Sequence, residues 1–597
     1  MADVLERPAT GAPPERSELP ARPVSLRRAA RVGAIGGVAA VFLSSIGMVE
    51  NFDARELISR LSLGYFILVG LGLGMGYIGA TPPPRLEGYA TTRPGAPNLL
   101  AGAIVGLVGG VLLVLFVWFV SVVDVRDIFP NISPAMVELL TGARDLGPGL
   151  LLAFGWSLIL CVVGGAMHLI PPRFRRSVFR ALGWVVGVAL LESLVTTTLE
   201  RAQLGRLRDF LYEPVGALSY TGAAALGAIV IVVDQVLGRR RQTFRHRVAA
   251  LPWPARKRLY VLGGAIGLMG LAGLPHLLGP FLTEVLNLVG IFMLMALGLN
   301  IVVGFAGLLD LGYVAFFAVG AYTTAALMSP HSPRFSPELP FWVALVPVLV
   351  MGVIAGVFIG TPVLRMRGDY LAIVTLGFGE ITRLLFLSDW LRPYFGGAQG
   401  IIGVPSITIG PFELSSPLAF FYMIFGLAVL LAYASYALLN SRTGRSWIAM
   451  REDETVADAM GVNTVAAKLS AFAIGALFAS FAGALFATKI HSVVPSSFTV
   501  EESILVLIIV IVGGIASVPG VAVGALALVG LPEVLREFEE YRFLVYGALL
   551  IFMMLKRPAG LIPSRRRAAE LQEDEEAQDA WLKEATKADE TARGEPS

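Results

Sequence analysis

Three carboxylates in this sequence fall within or beside long apolar segments, where a charged side chain could do chemistry. Asp310 and Glu380 lie in the second half of the chain, and Glu192 lies in the first half beside the threonines at 196–198. An unpaired charge is costly in an apolar environment, so such residues usually face the interior of a helix bundle. Arg383 follows Glu380 by three residues, where the two charges would neutralise each other. Packing is the favoured role for Glu192 and Glu380. Asp310 is expected to cap a helix, and a cation or proton site is its alternative role.

Other reactive groups are scarce. Cys161 is the only cysteine, so the sequence offers no disulfide, no cysteine-based metal site and no cysteine-pair redox chemistry. The five histidines are scattered and form no HExxH pattern, and neither a Walker A motif nor a GxSxG motif is present. The residues therefore predict no catalytic site, no metal site and no cofactor bound by this chain.

Apolar segments dominate the chain of 597 residues, which is 55% hydrophobic and 15% charged, with a mean hydropathy of +0.72. Soluble domains carry about 25% charged residues, and about 20 apolar residues suffice to cross a bilayer. The predicted fold class is all-α, a polytopic transmembrane helical bundle of about 16 membrane segments, including short broken ones near 504–531. The sequence GGIASVPG at 513–520 interrupts the short ones, which is tolerated where the backbone is buried in protein or lines a cavity.

The charge pattern divides the chain and predicts its orientation. Clusters of arginine and lysine mark cytoplasmic loops, which places both termini and residues 446–463 in the cytoplasm. Segment 200–216 is an exception, because it carries three arginines and yet falls on the outer side in this orientation. The first apolar run is expected to be a retained span, not a cleaved signal. The predicted domains are a cytoplasmic polar tail at 1–27, a block of about six transmembrane helices at 28–258 that ends in a basic loop, a patterned membrane domain at 259–563, and a charged cytoplasmic tail at 564–597.

The most polar helix-forming stretch of the second half is SWIAMREDETVADAMGVN at 446–463, between two apolar runs. Helical periodicity predicts a single amphipathic helix that ends at Gly461. The residues expected to share its apolar side are Ile448, Val456, Ala459 and Met460. Two interpretations are open: an interfacial loop with a wet polar face, or a docking helix that sits in a groove of a cytoplasmic partner.

Four stretches resemble a known family. They are SRTGRSWIAMREDETVADAMGVNTVAAKLSAFAIGALFASFAGALFA at 441–487, ALGLNIVVGFAGLLDLGYVAFFAVGAYTTAAL at 296–327, RMRGDYLAIVTLGFGEITRLL at 365–385, and GGIASVPGVAVGALALVGLPEVL at 513–535 followed by RPAGLIP at 557–563. Together they resemble LivM-type permease subunits of bacterial high-affinity branched-chain amino acid ABC transporters. The chain departs from the family pattern at Asp310, where serine is more usual, at Tyr313, where histidine is, and at Asp458, where glutamate is. Residues 28–258 lie outside the resemblance, as an N-terminal extension.

The resemblance implies a transporter subunit and not an enzyme. Residues 259–563 would form the permease domain, which imports branched-chain amino acids, or related small amino acids and amides, through a bacterial inner membrane. The implied partners are ABC ATPase subunits that bind the ATP, a second homologous permease subunit, an extracytoplasmic substrate-binding protein and membrane lipid, with no nucleic acid. The binding protein would meet outer loops such as 388–417.

The resemblance also implies roles for particular residues. The coupling helix that docks on the ATPase would include Arg445, Arg451, Glu452, Asp453, Ala457, Asp458, Ala459, Met460 and Gly461. The translocation path is expected along the segments that carry Gly304, Gly307, Asp310, Tyr313, Gly377, Gly379 and Glu380.

Other functions fit parts of the pattern. An ion-coupled secondary transporter of small polar solutes would also contain broken helices and intramembrane carboxylates, but would need no charged helix at 446–463. A urea or short-amide ABC permease would share the same motifs. A membrane scaffold or enzyme would place its active part in the N-terminal block, around Glu192.

Overall fold

The computed structural model describes residues 25–59, 61–81, 95–127, 129, 131–214, 216–249, 252–363, 366, 369–534, 541–557 and 559–564. The tails at 1–27 and 564–597 lie outside the described residues, except for 25–27 and 564. The chain forms two compact units that divide between Leu262 and Gly263.

The first unit is helical, with one short antiparallel strand pair. Its helices are α1 (Leu26–Ser45), α2 (Met48–Asn51), α3 (Leu63–Gly79), α4 (Ala96–Val122), α5 (Pro134–Thr141), α6 (Leu146–Ala166), α7 (Pro172–Leu190), α8 (Glu192–Arg201), α9 (Gly205–Leu211) and α10 (Tyr220–Ala249). The strands are β1 (Glu56–Ile58) and β2 (Leu61–Ser62). Helix α4 packs on α1 and α6 around buried Cys161, Val105 and Ala101.

One sequence expectation for this part of the chain, the basic loop that ends the N-terminal block, is corrected. The basic loop expected at 239–258 is largely helical, because α10 continues to Ala249 and α11 (Trp253–Leu278) begins soon after it. Arginine, the most frequent residue of this stretch, is a good helix former. The apolar run around Glu192 is bent, since α7 and α8 meet there at 75°. The hydroxyls of Thr196, Thr197 and Thr198 donate to backbone carbonyls of the preceding turn.

The second unit carries the remaining helices. They are α12 (Pro280–Leu299), α13 (Val314–Met328), α14 (Phe341–Val363), α15 (Asp369–Leu387), α16 (Arg392–Phe395), α17 (Pro417–Leu439), α18 (Arg442–Glu452), α19 (Glu454–Ala459), α20 (Thr464–Ile490), α21 (Val500–Gly513), α22 (Val518–Ala525), α23 (Leu531–Val534) and α24 (Arg542–Lys556). Two π-helical turns, Asn300–Phe305 and Leu526–Gly530, extend α12 and join α22 to α23. The short strands are β3 (Ile401–Ile402), β4 (Thr408–Ile409), β5 (Phe412–Glu413) and β6 (Ser492–Val493).

Helix α20 forms the centre of this unit and packs against α12, α13 and α14. The contact with α13 is close because it is made by small residues. A Cβ at Gly320 would collide with the backbone of Ser480, and a Cβ at Gly483 would collide with the backbone of Phe317. Small residues permit such backbone approach between membrane helices.

In the described residues, eight helices are long and apolar enough to cross a membrane, or nine if the bent pair α7 and α8 counts as one span. Six shorter apolar helices of 10–17 residues accompany them. The fold is therefore a helical membrane bundle, and the expected count of about 16 segments is not confirmed. The broken segments near 504–531 are present, since α21 ends at Gly513 and α22 starts at Val518.

The two ends of the second unit are set by α20, whose 27 residues span about 40 Å. Helices α18 and α19 precede its first residue. Strand β6 follows its last residue and pairs with β3, which lies in segment 388–417. The segment at 446–463 and the segment at 388–417 therefore lie at opposite ends of the bundle.

Candidate functional site

The stretch at 441–463, called the polar segment below, forms two helices and not the single helix expected. Helix α18 ends at Glu452 and α19 begins at Glu454. Asp453 between them has an extended backbone, with φ −155°, and its carboxylate accepts the N–H groups of Thr455 at 2.8 Å and Val456 at 3.0 Å. Aspartate is a preferred N-cap because its side chain replaces a missing helical acceptor. The cap starts a new helix and changes the helical phase.

The expected apolar side is consequently wrong. The buried residues of the polar segment are Gly444, Trp447, Met450 and Ala457, whereas Val456 is 58% exposed and Met460 is 80% exposed. The indole Nε1–H of Trp447 donates to the carbonyl of Ala467 at 3.0 Å, on the first turn of α20. Burial of the tryptophan fixes α18 against α20 and leaves the tip of α19 projecting.

Two further interactions fasten α19. The ammonium of Lys468, whose side chain is 5% exposed, lies 2.7 Å from a carboxylate oxygen of Glu454. At the other end Gly461 has φ +85°, and the N–H of Val462 donates to the carbonyl of Ala457 at 3.0 Å. This is the glycine C-cap geometry expected of Gly461, and that prediction is confirmed.

The structure separates the nine predicted coupling residues into two groups. Seven are exposed: Arg445, Glu452, Asp453, Asp458, Ala459, Met460 and Gly461. Ala457 is buried and Arg451 is half-buried, so these two face the rest of the protein. Docking by the exposed group stays a prediction.

Arg451 joins the polar segment to the end of α12. Its Nη1 donates to the carbonyl of Gly304 at 2.6 Å, within the π-helical turn Asn300–Phe305. Gly307, with φ +73°, lies under the aliphatic part of the same side chain, and a Cβ there would be 2.7 Å from its Cγ. The π-helical turn and the polar segment are thus in direct contact.

The π-helical turn also contacts the break that follows α21. The side-chain oxygen of Asn300 accepts the N–H of Ala516 at 2.9 Å. Ala516 lies in the break and has φ +62°. A continuous set of contacts therefore runs from Arg451 through the turn to the start of α22.

Asp310 does not cap a helix, in contrast to the expectation. It is 1% exposed, and its Oδ1 accepts the N–H of Gly312 at 2.9 Å. Helix α13 begins only at Val314, with Tyr313 at the N-cap position. The carboxylate therefore stabilises the tight chain reversal before the helix, a local bond that aspartate forms readily with the backbone two residues on.

The seven residues predicted for a translocation path make several separate sets of contacts, and their role in a path stays a prediction. Gly304 and Gly307 lie against Arg451, as described above. Tyr313 is fully buried and its hydroxyl donates to the carbonyl of Gly475 at 2.6 Å, while Gly379 packs on Gly312 beside Asp310. Gly377 and Glu380 lie on α15, on either side of Gly379 in the sequence. The Nε of Arg383 donates to both carboxylate oxygens of Glu380, at 3.1 and 3.0 Å, so the neutralising pair is confirmed.

A cavity of about 500 Å³ occurs in the second unit, away from all seven of these residues. Its walls come from α12, α13, α20, α21, α23, α24 and the π-helical turn at 526–530. Among its lining residues are Phe292, Phe317, Phe486, Glu502 and Arg542. The sequence interpretation missed this site, although the adjacent acids Glu501 and Glu502 at the head of an apolar run could have indicated it.

Known proteins resemble the second half of the chain. The family model for the branched-chain amino acid transport system, permease component, matches residues 281–554. The high-affinity branched-chain amino acid transport system permease protein LivM of Escherichia coli is 40% identical over 315 residues, which cover 49% of this chain and 72% of that protein. The chain belongs to the family of branched-chain amino acid transport permeases.

More distant relatives extend the family. The probable LivM of Methanocaldococcus jannaschii is 23% identical and the LivH permease of Escherichia coli is 24% identical, and each is matched over 91% of its length. No solved structure matches this permease. The polar segment, the contacts of Arg451 and the lining residues of the cavity all lie within the matched residues 281–554 of the permease.

Proposed function

We propose that this permease is the membrane subunit of an ABC importer that carries branched-chain amino acids, or related small amino acids and amides, through the bacterial cytoplasmic membrane. Its similarity to the LivM and LivH permeases of a high-affinity branched-chain amino acid transport system supports this substrate class. The observation that carries the mechanism is the bond between Arg451 and Gly304, because it connects an exposed surface to a helix of the bundle.

The exposed surface of the polar segment is the proposed docking site for a separate ATPase subunit. Val456 and Met460 project from α19 as apolar contacts, and Glu452, Asp453 and Asp458 surround them with negative charge. A projecting apolar side chain that enters a pocket, with charges at the rim, is the usual anatomy of a protein interface. In this proposal ATP is bound and hydrolysed by the partner, and this permease contributes no catalytic residue.

Movement of the docked segment would reach the bundle through defined contacts. Arg451 would displace the π-helical turn at Gly304, and Asn300 would pass the displacement to Ala516 in the break before α22. A π-helical turn and a broken helix are places where backbone hydrogen bonding can rearrange. Alternating access would arise from these rearrangements.

The remaining partners are proposed from the family. Similarity to both LivM and LivH supports pairing with a second, homologous permease subunit. A substrate-binding protein would dock on segment 388–417, which β3 and β6 hold at the end of the bundle opposite the polar segment. The polar segment and both termini would then face the cytoplasm.

Reconstitution tests the proposal. The chain is incorporated into proteoliposomes with its candidate ATPases, second permease and binding protein, and uptake of labelled leucine, isoleucine, valine and urea is measured. Leucine-class uptake that requires both ATP and the ATPases is expected. Uptake by the chain alone with an ion gradient would support a secondary transporter instead, and urea uptake without amino acid uptake would overturn the substrate class.

A further inference from the structure

The cavity of about 500 Å³ in the second unit combines apolar walls with opposite charges. Small-molecule sites in proteins occupy about 300–1,000 Å³ and are mostly apolar, with a few polar groups that fix orientation. The cavity borders Ser497, three residues before α21, so it lies on the side of the bundle marked by β6 and segment 388–417. Its position is therefore remote from the polar segment.

Glu502 is the half-buried acid of the cavity. It lies on the first turn of α21, and its Oε2 is shielded from solvent without a hydrogen-bond partner among the described residues. A shielded acceptor that lacks a donor is energetically unfavourable, and more so when it is charged. A cationic donor that enters the cavity would remove this cost.

Arg542 supplies the opposite charge. It begins α24 and is exposed, and its guanidinium lies 5.0 Å from the centre of the Phe543 ring. No ion pair between Arg542 and Glu502 occurs in the described part of the chain. Arginine presents a planar fork of donors that matches a carboxylate, so the cavity offers one site for a cation and one for an anion.

The apolar walls and a second acid refine the choice of ligand. Phe292, Phe317 and Phe486 line the cavity with Leu288 and Leu505, and Glu533 adds a second negative charge. The two carboxylates would repel a ligand that carries only a negative charge. The guanidinium would repel a ligand that carries only a positive charge. The apolar rings suit an aliphatic side chain.

We infer that this cavity binds a zwitterionic α-amino acid with an aliphatic side chain, with its ammonium on Glu502 and its carboxylate on Arg542. The inference rests on the proposed function and places an amino acid site inside this subunit, separate from any site on a binding protein. Phe292, Phe317 and Phe486 contact the side chain of the ligand.

Thiol protection tests occupancy of the cavity in the assembled complex. In a Cys161→Ala background, Ser497→Cys places a thiol in the cavity wall, and Ser496→Cys places one on the adjacent exposed residue as a control. Saturating leucine is expected to slow modification at 497 about tenfold and to leave 496 unchanged. 4-Methylpentanoate and 3-methylbutylamine, which each lack one charged group of leucine, are expected to protect far less. Equal protection by either compound, or no protection by leucine, would overturn the inference.

Transport by matched variants separates this inference from the proposed function. Glu502→Gln and Arg542→Gln are expected to lower leucine uptake by the complete complex about tenfold, whereas Glu501→Gln and Arg557→Gln at exposed positions keep it within about twofold. Subunit co-purification should be the same for all four variants. If the wild-type complex takes up no amino acid, the proposed function fails. If it transports and all four variants match it, the proposed function stands and the amino acid site does not exist.

Discussion

The guanidinium of Arg451 donates a 2.6 Å hydrogen bond to the backbone carbonyl of Gly304, a residue 147 positions earlier in the chain. The bond joins the half-buried face of the polar segment to the π-helical turn that ends the α12 span. The same segment exposes Met460 and Asp458 on its other face. The polar segment therefore has an exposed face and a second face that is bonded to the helix bundle.

Loss of this attachment is expected to uncouple ATP hydrolysis from transport. A hydrogen bond to a charged group is worth about 1.5–3 kcal/mol, so Arg451→Gln should lower uptake per ATP hydrolysed roughly tenfold or more. Arg557→Gln is the control, because Arg557 is exposed and lies outside the polar segment. Uptake and phosphate release are measured in the same proteoliposomes. A variant with an unchanged ratio of uptake to hydrolysis would contradict the coupling route.

Charge on the projecting tip of α19 is expected to weaken ATPase binding. Burial of a methionine side chain contributes about 1.5–3 kcal/mol, so Met460→Asp should raise the dissociation constant of the ATPase at least about tenfold. Leu204→Asp, at an exposed position of the first unit and outside the polar segment, is the matched control. Binding is measured by titration of the ATPase onto immobilised permease. Equal affinity of both variants would place the ATPase elsewhere.

The ion pair between Glu454 and Lys468 should respond asymmetrically to mutation. Lys468 is nearly inaccessible, with 5% of its side chain exposed, whereas the side chain of Glu454 is 26% exposed. Glu454→Gln leaves a buried ammonium without its carboxylate and should destabilise the second unit by about 3 kcal/mol, whereas Lys468→Met leaves a carboxylate that water reaches and should cost under about 1 kcal/mol. Thermal unfolding in detergent measures both. A larger loss for Lys468→Met would reverse the assignment of the buried partner.

The C-cap of α19 is expected to discriminate between substitutions of similar size. Gly461 has φ +85°, a conformation that costs most L-residues about 1–2 kcal/mol but that asparagine tolerates. Gly461→Val should therefore speed hydrogen exchange in α19 about tenfold, and Gly461→Asn should change it little. Similar exchange in both variants would show that the backbone conformation does not hold this end of the helix.

The sequence correctly predicted the features that depend only on residues close together in the chain. The apolar runs predicted a helical membrane bundle, Gly461 marked a helix end, and Glu380 and Arg383 paired across one turn. The break at Asp453 was missed, because an N-cap within an amphipathic pattern leaves the hydrophobic periodicity almost unchanged. Its effect is large, since it turns Val456 and Met460 outward.

The candidate sites depend on residues that are distant in sequence, and periodicity does not reveal such contacts. The acceptor for Arg451 is a backbone carbonyl, which has no sequence signature. Glu502 and Arg542 line one cavity because α21 and α24 pack together. In the sequence, each of them looks like an ordinary charged residue at the end of a helix. Asp310 was interpreted as a cap because the residues after it are helical, yet the chain turns at Gly312 first.

The β3–β6 pair lies next to the last residue of α20, and the Trp447 indole is bonded to its first turn. In the proposed complex, the substrate-binding protein outside the cell and the ATPase inside it therefore bind next to the two ends of one helix, α20. Binding at the two ends is then thermodynamically linked. If the substrate-loaded binding protein raises the affinity of the complex for nucleotide by some factor, bound nucleotide raises the affinity for the loaded binding protein by the same factor.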